Sequence, residues 1–315
     1  MTVSAVNDAP IAITDAGTLA EDGAVHSFNV VGNDTDVDAD TLVLTGTSVL
    51  STSGIVAMAG GQVEFTPAHM FSGNAAISYT ISDGHMSATG QLNVDVVSDT
   101  APPVISSLTV TLGAGTIVAK APIKVSWAAT DAGVGVAQYI VQVSKDGGAF
   151  TAFYAGTATT KTALFAPGHA YQFRVRATDA AGNASAYQTA SRRSALIVQS
   201  RGTGVNYRPS VWAYVKSASG SGDGYRYSSR KGASVSYAFT GREIVWVAPR
   251  NSRSGLASVY IDGVKVASVN LYSASSRTGQ QVFKKVFSRS GRHTIKVVVA
   301  VNGRRVSLDA FMILR

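Results

Sequence analysis

The chain of 315 residues contains no cysteine. Disulfides, thiolate metal centres and a cysteine nucleophile are therefore excluded. No run of about 18 apolar residues occurs, so no stretch has the make-up of a membrane-spanning helix. Lysine and arginine are missing from the first 119 positions, and Lys120 is the first of either. Helical periodicity is almost missing too, since apolar residues rarely recur at three- and four-residue spacing. Signatures of catalysis are also missing: no Ser/His/Asp grouping, paired-carboxylate motif, phosphate loop or zinc spacing. Residues 200–315 hold four carboxylates, Asp223, Glu243, Asp262 and Asp309, and one histidine, His293. Asp262 belongs to a hairpin turn and His293 begins a strand. The chain is expected not to be an enzyme. The opening "MTVSAVNDAP" lacks the basic and apolar regions of a signal peptide. It reads as a Met before an internal fragment, with an export signal expected upstream.

What is present alternates. Short runs such as "AISYTIS" (76–82), "YIVQVS" (139–144), "YQFRVRAT" (171–178) and "HTIKVVV" (293–299) switch between apolar and polar residues, divided by Gly, Asn, Asp or Ser turns. This spacing predicts an all-β chain of sandwiches. Two linkers divide it, "VVSDTAPPV" (96–104), with its Pro pair, and "QTASRRSALIVQSRGTG" (188–204), which has little pattern except "ALIV". Three consecutive antiparallel β-sandwiches are expected, at 1–98, 101–197 and 200–315. Net charge runs from −12 over residues 1–100, through +5, to +15 over residues 200–315. Such asymmetry predicts different tasks for the two ends.

The stretch "GNDTDVDAD" (32–40) places Asp34, Asp36, Asp38 and Asp40 at every second position, with Asn33 beside them. Like charges this close need neutralising. Ca²⁺ takes 6–8 oxygen ligands, mostly carboxylates and carbonyls, and this loop supplies them at short sequence distance. In an extended loop, alternate side chains point one way. Glu21 and Asp22, or Asn7 and Asp8, complete the shell from neighbouring loops in this reading. Mg²⁺ fits less well because it keeps its waters, and zinc would call for His or Cys. The loop lacks the glycine, glutamate and flanking helices of an EF-hand. The alternative is a solvated acidic turn held by Asx hydrogen bonds. His26, His69 and His85 are scattered and read as solvated or strand-edge residues.

The landmarks "VNDAP" (6–10), "EDG" (21–23), "GNDTDVDAD", "VEFTP" (63–67), "FSGNAAISYTISDG" (71–84) and "GQLNVDVV" (90–97) together resemble the cadherin-like tandem repeats of bacterial surface proteins and adhesins. That resemblance implies a β-sandwich, and in many such repeats calcium at junctions or loops. Some relatives have Gly where this chain has Ala39. In the second segment, "IKVSWAATD" (123–131), "GVAQYIVQVSKDGGAF" (135–150) and "PGHAYQFRVRATDAAGNAS" (167–185) resemble a fibronectin type III domain. The resemblance makes Trp127 the core tryptophan and Tyr171 the corner tyrosine that bonds backbone. A spacer is the expected role, and no "RGD" tripeptide is present. Asp131 and Asp179 read as turn formers.

In the third segment, "SVYIDGVKVASVNLYS" (258–273) carries a hairpin tipped by Asp262-Gly263. With "SGRHTIKVVV" and "VSLDAF" it resembles the galactose-binding-like jelly-rolls appended to bacterial glycoside hydrolases. Many of these bind carbohydrate, which needs flat aromatic faces and a few orienting polar groups. Candidates are Trp212, Tyr214, Tyr225, Tyr227 and Arg226, with Tyr272 and Arg277 in the loop after "VNLYS". Some of them are equally able to serve as core, and Arg226 is expected to point outward between its tyrosines. Trp246 reads as core. The resemblance also raises Asp309 as a ligand of a structural calcium, but the partner glutamate is not evident. The +15 balance suits an anionic cell-surface polymer or acidic polysaccharide. Nucleic acid is disfavoured, since no motif for it accompanies the charge.

The sequence is thus read as the non-catalytic, C-terminal region of an exported, extracellular bacterial adhesin or surface protein. A calcium-stiffened stalk presents a glycan- or surface-binding sandwich. The alternatives are a segment that self-associates through its acidic first and basic third parts, and the accessory binding region of a secreted glycoside hydrolase.

Overall fold

The computed structural model describes residues 6–49, 52–117, 119–217 and 220–315. Among them every regular element of named length is a β-strand. No helix is long and apolar enough to cross a membrane. The chain divides into two compact units: Met1–Ile105 with Ala129–Gln138 and Arg176–Ala186, and Ser106–Ala128 with Tyr139–Val175 and Tyr187–Arg315. The first holds 14 carboxylates and one basic side chain other than histidine, Arg176; the second holds 5 carboxylates and 26 basic side chains.

The first seven strands are β1 (Asp15–Ala20), β2 (His26–Phe28), β3 (Val43–Val49), β4 (Gly54–Ala59), β5 (Gln62–Pro67), β6 (Gly73–Ser82) and β7 (Ser87–Val97). They form a sheet of order β1-β7-β6-β3 and a sheet of order β2-β5-β4. Period-two patterning is plain in β6 and β7, where Ala75, Ile77, Tyr79 and Ile81 face the core with Leu92, Val94 and Val96. Val63 and Phe65 of β5 and Val30 complete that core. One pair departs from the expected antiparallel pattern: β1 runs parallel to β7, from Asp15↔Leu92 to Ala20↔Val97. A parallel neighbour needs a long connection, and five strands intervene here.

Next come β8 (Val104–Leu112), β9 (Ala121–Thr130), β10 (Val136–Lys145), β11 (Thr151–Gly156), β12 (Thr160–Phe165), β13 (Ala170–Asp179), β14 (Gln188–Thr189) and β15 (Arg193–Gln199). Trp127 is buried and packs against Tyr154 at a ring distance of 5.2 Å. The Tyr171 hydroxyl donates to Ala166 O at 3.3 Å. Both tertiary roles implied by the fibronectin resemblance are present.

The last strands are β16 (Asn206–Arg208), β17 (Ala213–Lys216), β18 (Gly224–Ser228), β19 (Ser234–Arg250), β20 (Leu256–Ile261), β21 (Val264–Asn270), β22 (Arg277–Val299), β23 (Val306–Leu308) and β24 (Ala310–Leu314). The small sheet β17-β18-β23 is one layer, and β24-β19-β22-β20-β21 is the other. Trp246 is fully buried and its Nε1 donates to Ser307 O at 3.0 Å. The Asp262-Gly263 turn takes φ of 50° and 86°, as a two-residue hairpin with both central residues left-handed requires.

The segment read as a second linker contains β15, and β15 pairs antiparallel with β24 from Ala195↔Leu314 to Gln199↔Ala310. One continuous sheet therefore runs β11-β10-β13-β15-β24-β19-β22-β20-β21. A shared core follows it: Leu112, Ile117, Ala121 and Ala195 pack with Val245, Val247, Met312 and Leu314. "ALIV" lacks alternation because the strand is flanked in the sheet and packed by both neighbours.

Candidate functional site

Residues 32–40 fold as successive turns, not as an extended strand, so the aspartates do not all point one way. Ala39 closes the turn with a left-handed φ of 61°. Asp36 Oδ1 accepts from Asp38 N at 2.8 Å and Asp40 N at 3.3 Å. Asp38 Oδ2 accepts from Asp8 N at 2.7 Å, which brings the N-terminal segment to the loop. One oxygen from each of Asp36, Asp38 and Asp40 lies within 4.8 Å of the other two. Asp36 Oδ2 is buried with no hydrogen-bond partner among the described residues. Such an oxygen costs about 1–3 kcal/mol or more when left unmet. An all-oxygen donor set with an unmet carboxylate oxygen fits Ca²⁺.

Asp34 leaves this group. Its Oδ1 accepts from Ile13 N at 2.7 Å and lies 3.3 Å from the Tyr79 hydroxyl. Asp15 sits beside it, and burial lifts the Asp15 carboxyl above the ordinary range, with the Asp34 charge adding to the effect. Hydrogen bonds from Tyr79 and Asn33 oppose that rise. Asp15 was not among the residues the sequence singled out. Asp22 lies apart from the loop, where its Oδ2 pairs with His69 Nδ1 at 2.9 Å and its Oδ1 accepts from Met70 N.

Glu21 also lies elsewhere. It is 5% exposed. It lines a cleft of about 270 Å³ together with Asp99 and Gly133. Asp99 also belongs to a group with Asp131 and Asp179, from "SDTAPP", "TDAG" and "TDAAGN", each bringing one oxygen within 4.8 Å of the others. Asp131 Oδ2 accepts from Gly133 N and Gly135 N at 3.1 and 2.9 Å, while its Oδ1 is buried and unmet. Asp179 accepts from Asn183 N and Nδ2 at 2.7 and 2.9 Å. Gly133 passes so close to the Asp99 carboxylate that a Cβ there would collide with it. Asp131 and Asp179 do shape turns, as their sequence suggests. What the sequence hides is that three turns far apart in the chain converge.

In the basic sandwich, Trp212 is 5% exposed and packs against Tyr207 at 5.0 Å, so its ring belongs to the core. Arg226 is not outward. It lies opposite Leu308 in the small sheet, and its guanidinium sits 5.0 Å from the Tyr207 ring, on the core face. Directly paired residues share a face, so Tyr225 and Tyr227 occupy the outer face. Tyr214, on the Arg226 side, is covered by Arg201 at 5.1 Å. Tyr272 is 49% exposed, and Arg277 starts β22. Asp309 is buried, accepts from Ser221 N and Oγ, and is lifted above the ordinary carboxylate range by burial. Asp309 belongs to no group of three or more acidic or histidine side chains among the described residues.

Residues 7–96 match the bacterial Ig domain family. Over 73 residues the chain is 45% identical to an A type blood alpha-D-galactosamine galactosaminidase of Flavonifractor plautii. It is 37% identical over 73 residues to an A type blood N-acetyl-alpha-D-galactosamine deacetylase of the same organism. Each stretch is 23% of this chain, and the chain spans only 7% and 9% of those relatives' length. Among solved structures, a carbohydrate-binding module CBM36 in complex with calcium and xylotriose aligns at a TM-score of 0.28 and 17% identity, over 38% of this chain and 99% of that one.

Proposed function

We propose that this chain is a non-catalytic region of an exported bacterial protein in which a calcium-loaded acidic unit accompanies a glycan-binding β-sandwich. The observation that carries the reading is the gathering of carboxylates in a unit with very few basic side chains. The first unit has 14 carboxylates and only Arg176 in return. Six of the 14 collect in two groups of three, each with a buried, unmet oxygen. Asp36, Asp38 and Asp40 would hold one cation, and Asp99, Asp131 and Asp179 a second, with Glu21 beside it. Calcium supplies charge neutralisation and stiffening there, not chemistry. The outer-face tyrosines Tyr225 and Tyr227 and the exposed Tyr272 are the sugar contacts in this reading. The two Flavonifractor plautii relatives are carbohydrate-active enzymes by name, which favours the accessory region of a secreted glycosidase over a free-standing adhesin.

Melting the intact chain in excess Ca²⁺ and in chelator tests the metal. A ligand at 100 times its Kd stabilises the folded state by about 2.7 kcal/mol, so the acidic unit should melt higher with Ca²⁺. Asp36→Asn and Asp131→Asn should each remove part of that rise. Equal melting in both buffers ends the calcium reading. A glycan array with the intact chain tests the rest: saturable binding lost in Tyr225→Ala or Tyr227→Ala is expected, and no binding to any glycan refutes it.

A further inference from the structure

The second unit has 26 basic side chains and 5 carboxylates, and each carboxylate is already engaged. Asp146 pairs with His169, Asp223 with Arg201, Glu243 with Lys284 and Asp262 with His293, while Asp309 is held by Ser221. None is left for a cleft of about 410 Å³ lined by Tyr227, Ser229, Arg253, Gly303, Arg304 and Arg305. Three guanidinium-bearing residues line this one cleft and none forms an ion pair among the described residues. Like charges gathered without a counterion repel, so an anion bound among them relieves that repulsion.

The cleft is also held in shape before any ligand arrives. Arg305 N donates to Arg253 O at 3.0 Å, Gly255 N to Arg305 O at 2.9 Å, and Gly303 N to Ser229 O at 2.9 Å. Arg304 Nη1 donates to Ser252 O at 2.9 Å. The Arg305 guanidinium lies 4.1 Å from the centre of the Tyr227 ring. Three connections are thus tied together by backbone bonds, and two of the three arginine side chains are fixed by protein contacts. Ordering a site in advance removes much of the cost of binding.

We propose that the Arg253–Arg304–Arg305 cleft binds the oxyanion of an acidic glycan, a sugar carboxylate or sulfate ester. This rests on the glycan reading above and names its charge class. Guanidinium forks match carboxylate and sulfate oxygens two at a time, and an ammonium does not. The outer-face Tyr225 on the same strand as Tyr227 offers a ring for the adjoining sugar. Single-stranded nucleic acid suits the cleft less, because base recognition needs free stacking faces along a groove and Arg305 covers one face of Tyr227.

The test is calorimetric titration of the intact chain with oligogalacturonate, a sulfated chondroitin tetrasaccharide, the carboxyl-reduced and desulfated counterparts, and oligo-dT. At least one charged sugar should bind 10-fold or more tightly than its neutral counterpart, and which one does so separates carboxylate from sulfate. Arg305→Gln and the double variant Arg253→Gln/Arg304→Gln should each weaken it 10-fold or more, and Arg304→Lys should fail to restore the fork. Lys265→Gln/Lys296→Gln removes the same charge from another part of the surface and should change binding less than 2-fold. If Arg305→Gln lowers the melting temperature, the exposed pair Arg253 and Arg304 decides. Equal loss in the lysine control means diffuse charge and overturns the proposal, as does tighter binding of oligo-dT. Binding of neutral glycans that ignores the arginine changes overturns it and leaves the glycan reading standing. Absence of any glycan binding overturns both.

Discussion

Removing one amino group should loosen the joint between the second and third sandwiches. Glu243 of β19 is fully buried, and its Oε2 accepts from Leu112 N of β8 at 3.0 Å and from Lys284 Nζ of β22 at 2.9 Å. Lys284 Nζ also donates to Leu112 O at 2.6 Å. Lys284→Met keeps the aliphatic stem and leaves the carboxylate buried and unpaired. Breaking a buried pair from one side costs about 3–5 kcal/mol. The Lys284 side chain is 34% exposed, so water screens part of the interaction and about 3 kcal/mol is the expected loss. For a unit of this size each kcal/mol moves Tm by about 2–4 °C, giving a fall of about 6–12 °C in scanning calorimetry. In a Glu243→Gln background the amide can accept from Leu112 N and donate to Leu112 O. Adding Lys284→Met there should cost less than half as much. Because the sheet and the Leu112–Met312 core are shared, both sandwiches should melt in one transition. A fall under 2 °C for Lys284→Met, an equal loss in the Glu243→Gln background, or separate melting of the two sandwiches refutes this reasoning.

Three further outcomes follow from local geometry. Asp83 is held down to about 2, chiefly by the Asn7 side chain. Its folded value lies below its unfolded one, so its stabilisation is present above about pH 4 and lost as pH falls toward 2. Asn7→Ala should weaken that stabilisation at neutral pH, and acid titration of Tm should show a smaller drop than in the parent chain. Asp309 has the opposite sign: burial raises its folded value, so its contribution fades as pH rises through that value. Asp309→Asn, which keeps an acceptor for Ser221, should flatten the dependence of Tm on pH in that window, and an unchanged profile counts against the burial argument. Ala39 holds a left-handed φ, a strained state for a residue with a Cβ. Ala39→Gly should raise stability by about 0.5–1 kcal/mol in urea melts, and a loss would show that the turn is not strained.

Much of the fold was legible because strands announce themselves locally. The alternation in β6, β7 and β13 follows from one buried face per strand. The Asp262-Gly263 hairpin, Trp127 and Tyr171 were readable for similar reasons, since turn chemistry and large aromatic residues constrain their own surroundings. The candidate sites were legible only in part. The acidic loop was visible as a cluster in sequence, but Asp34 turned away to Tyr79 and Ile13, and Glu21 and Asp22 went to separate places. Trp212 was readable either as a sugar contact or as core and proved to be core, while Arg226 was expected outward and proved to face inward, because the outer and inner faces of a short strand are set by its partner's register.

The sequence alone determined the all-β class, the short alternating strands and the charge gradient, since each depends on residue type and near-neighbour spacing. Tertiary structure decided what those charges meet. Only folding brings oxygens of Asp99, Asp131 and Asp179 within 4.8 Å of one another, places Arg253, Arg304 and Arg305 around one cleft, and turns "ALIV" into the strand that joins two sandwiches. These contacts join residues as far apart as 80 positions for Asp99 and Asp179 and 119 for Ala195 and Leu314, and the physical reason they were hidden is that no local preference encodes which turn will lie beside which.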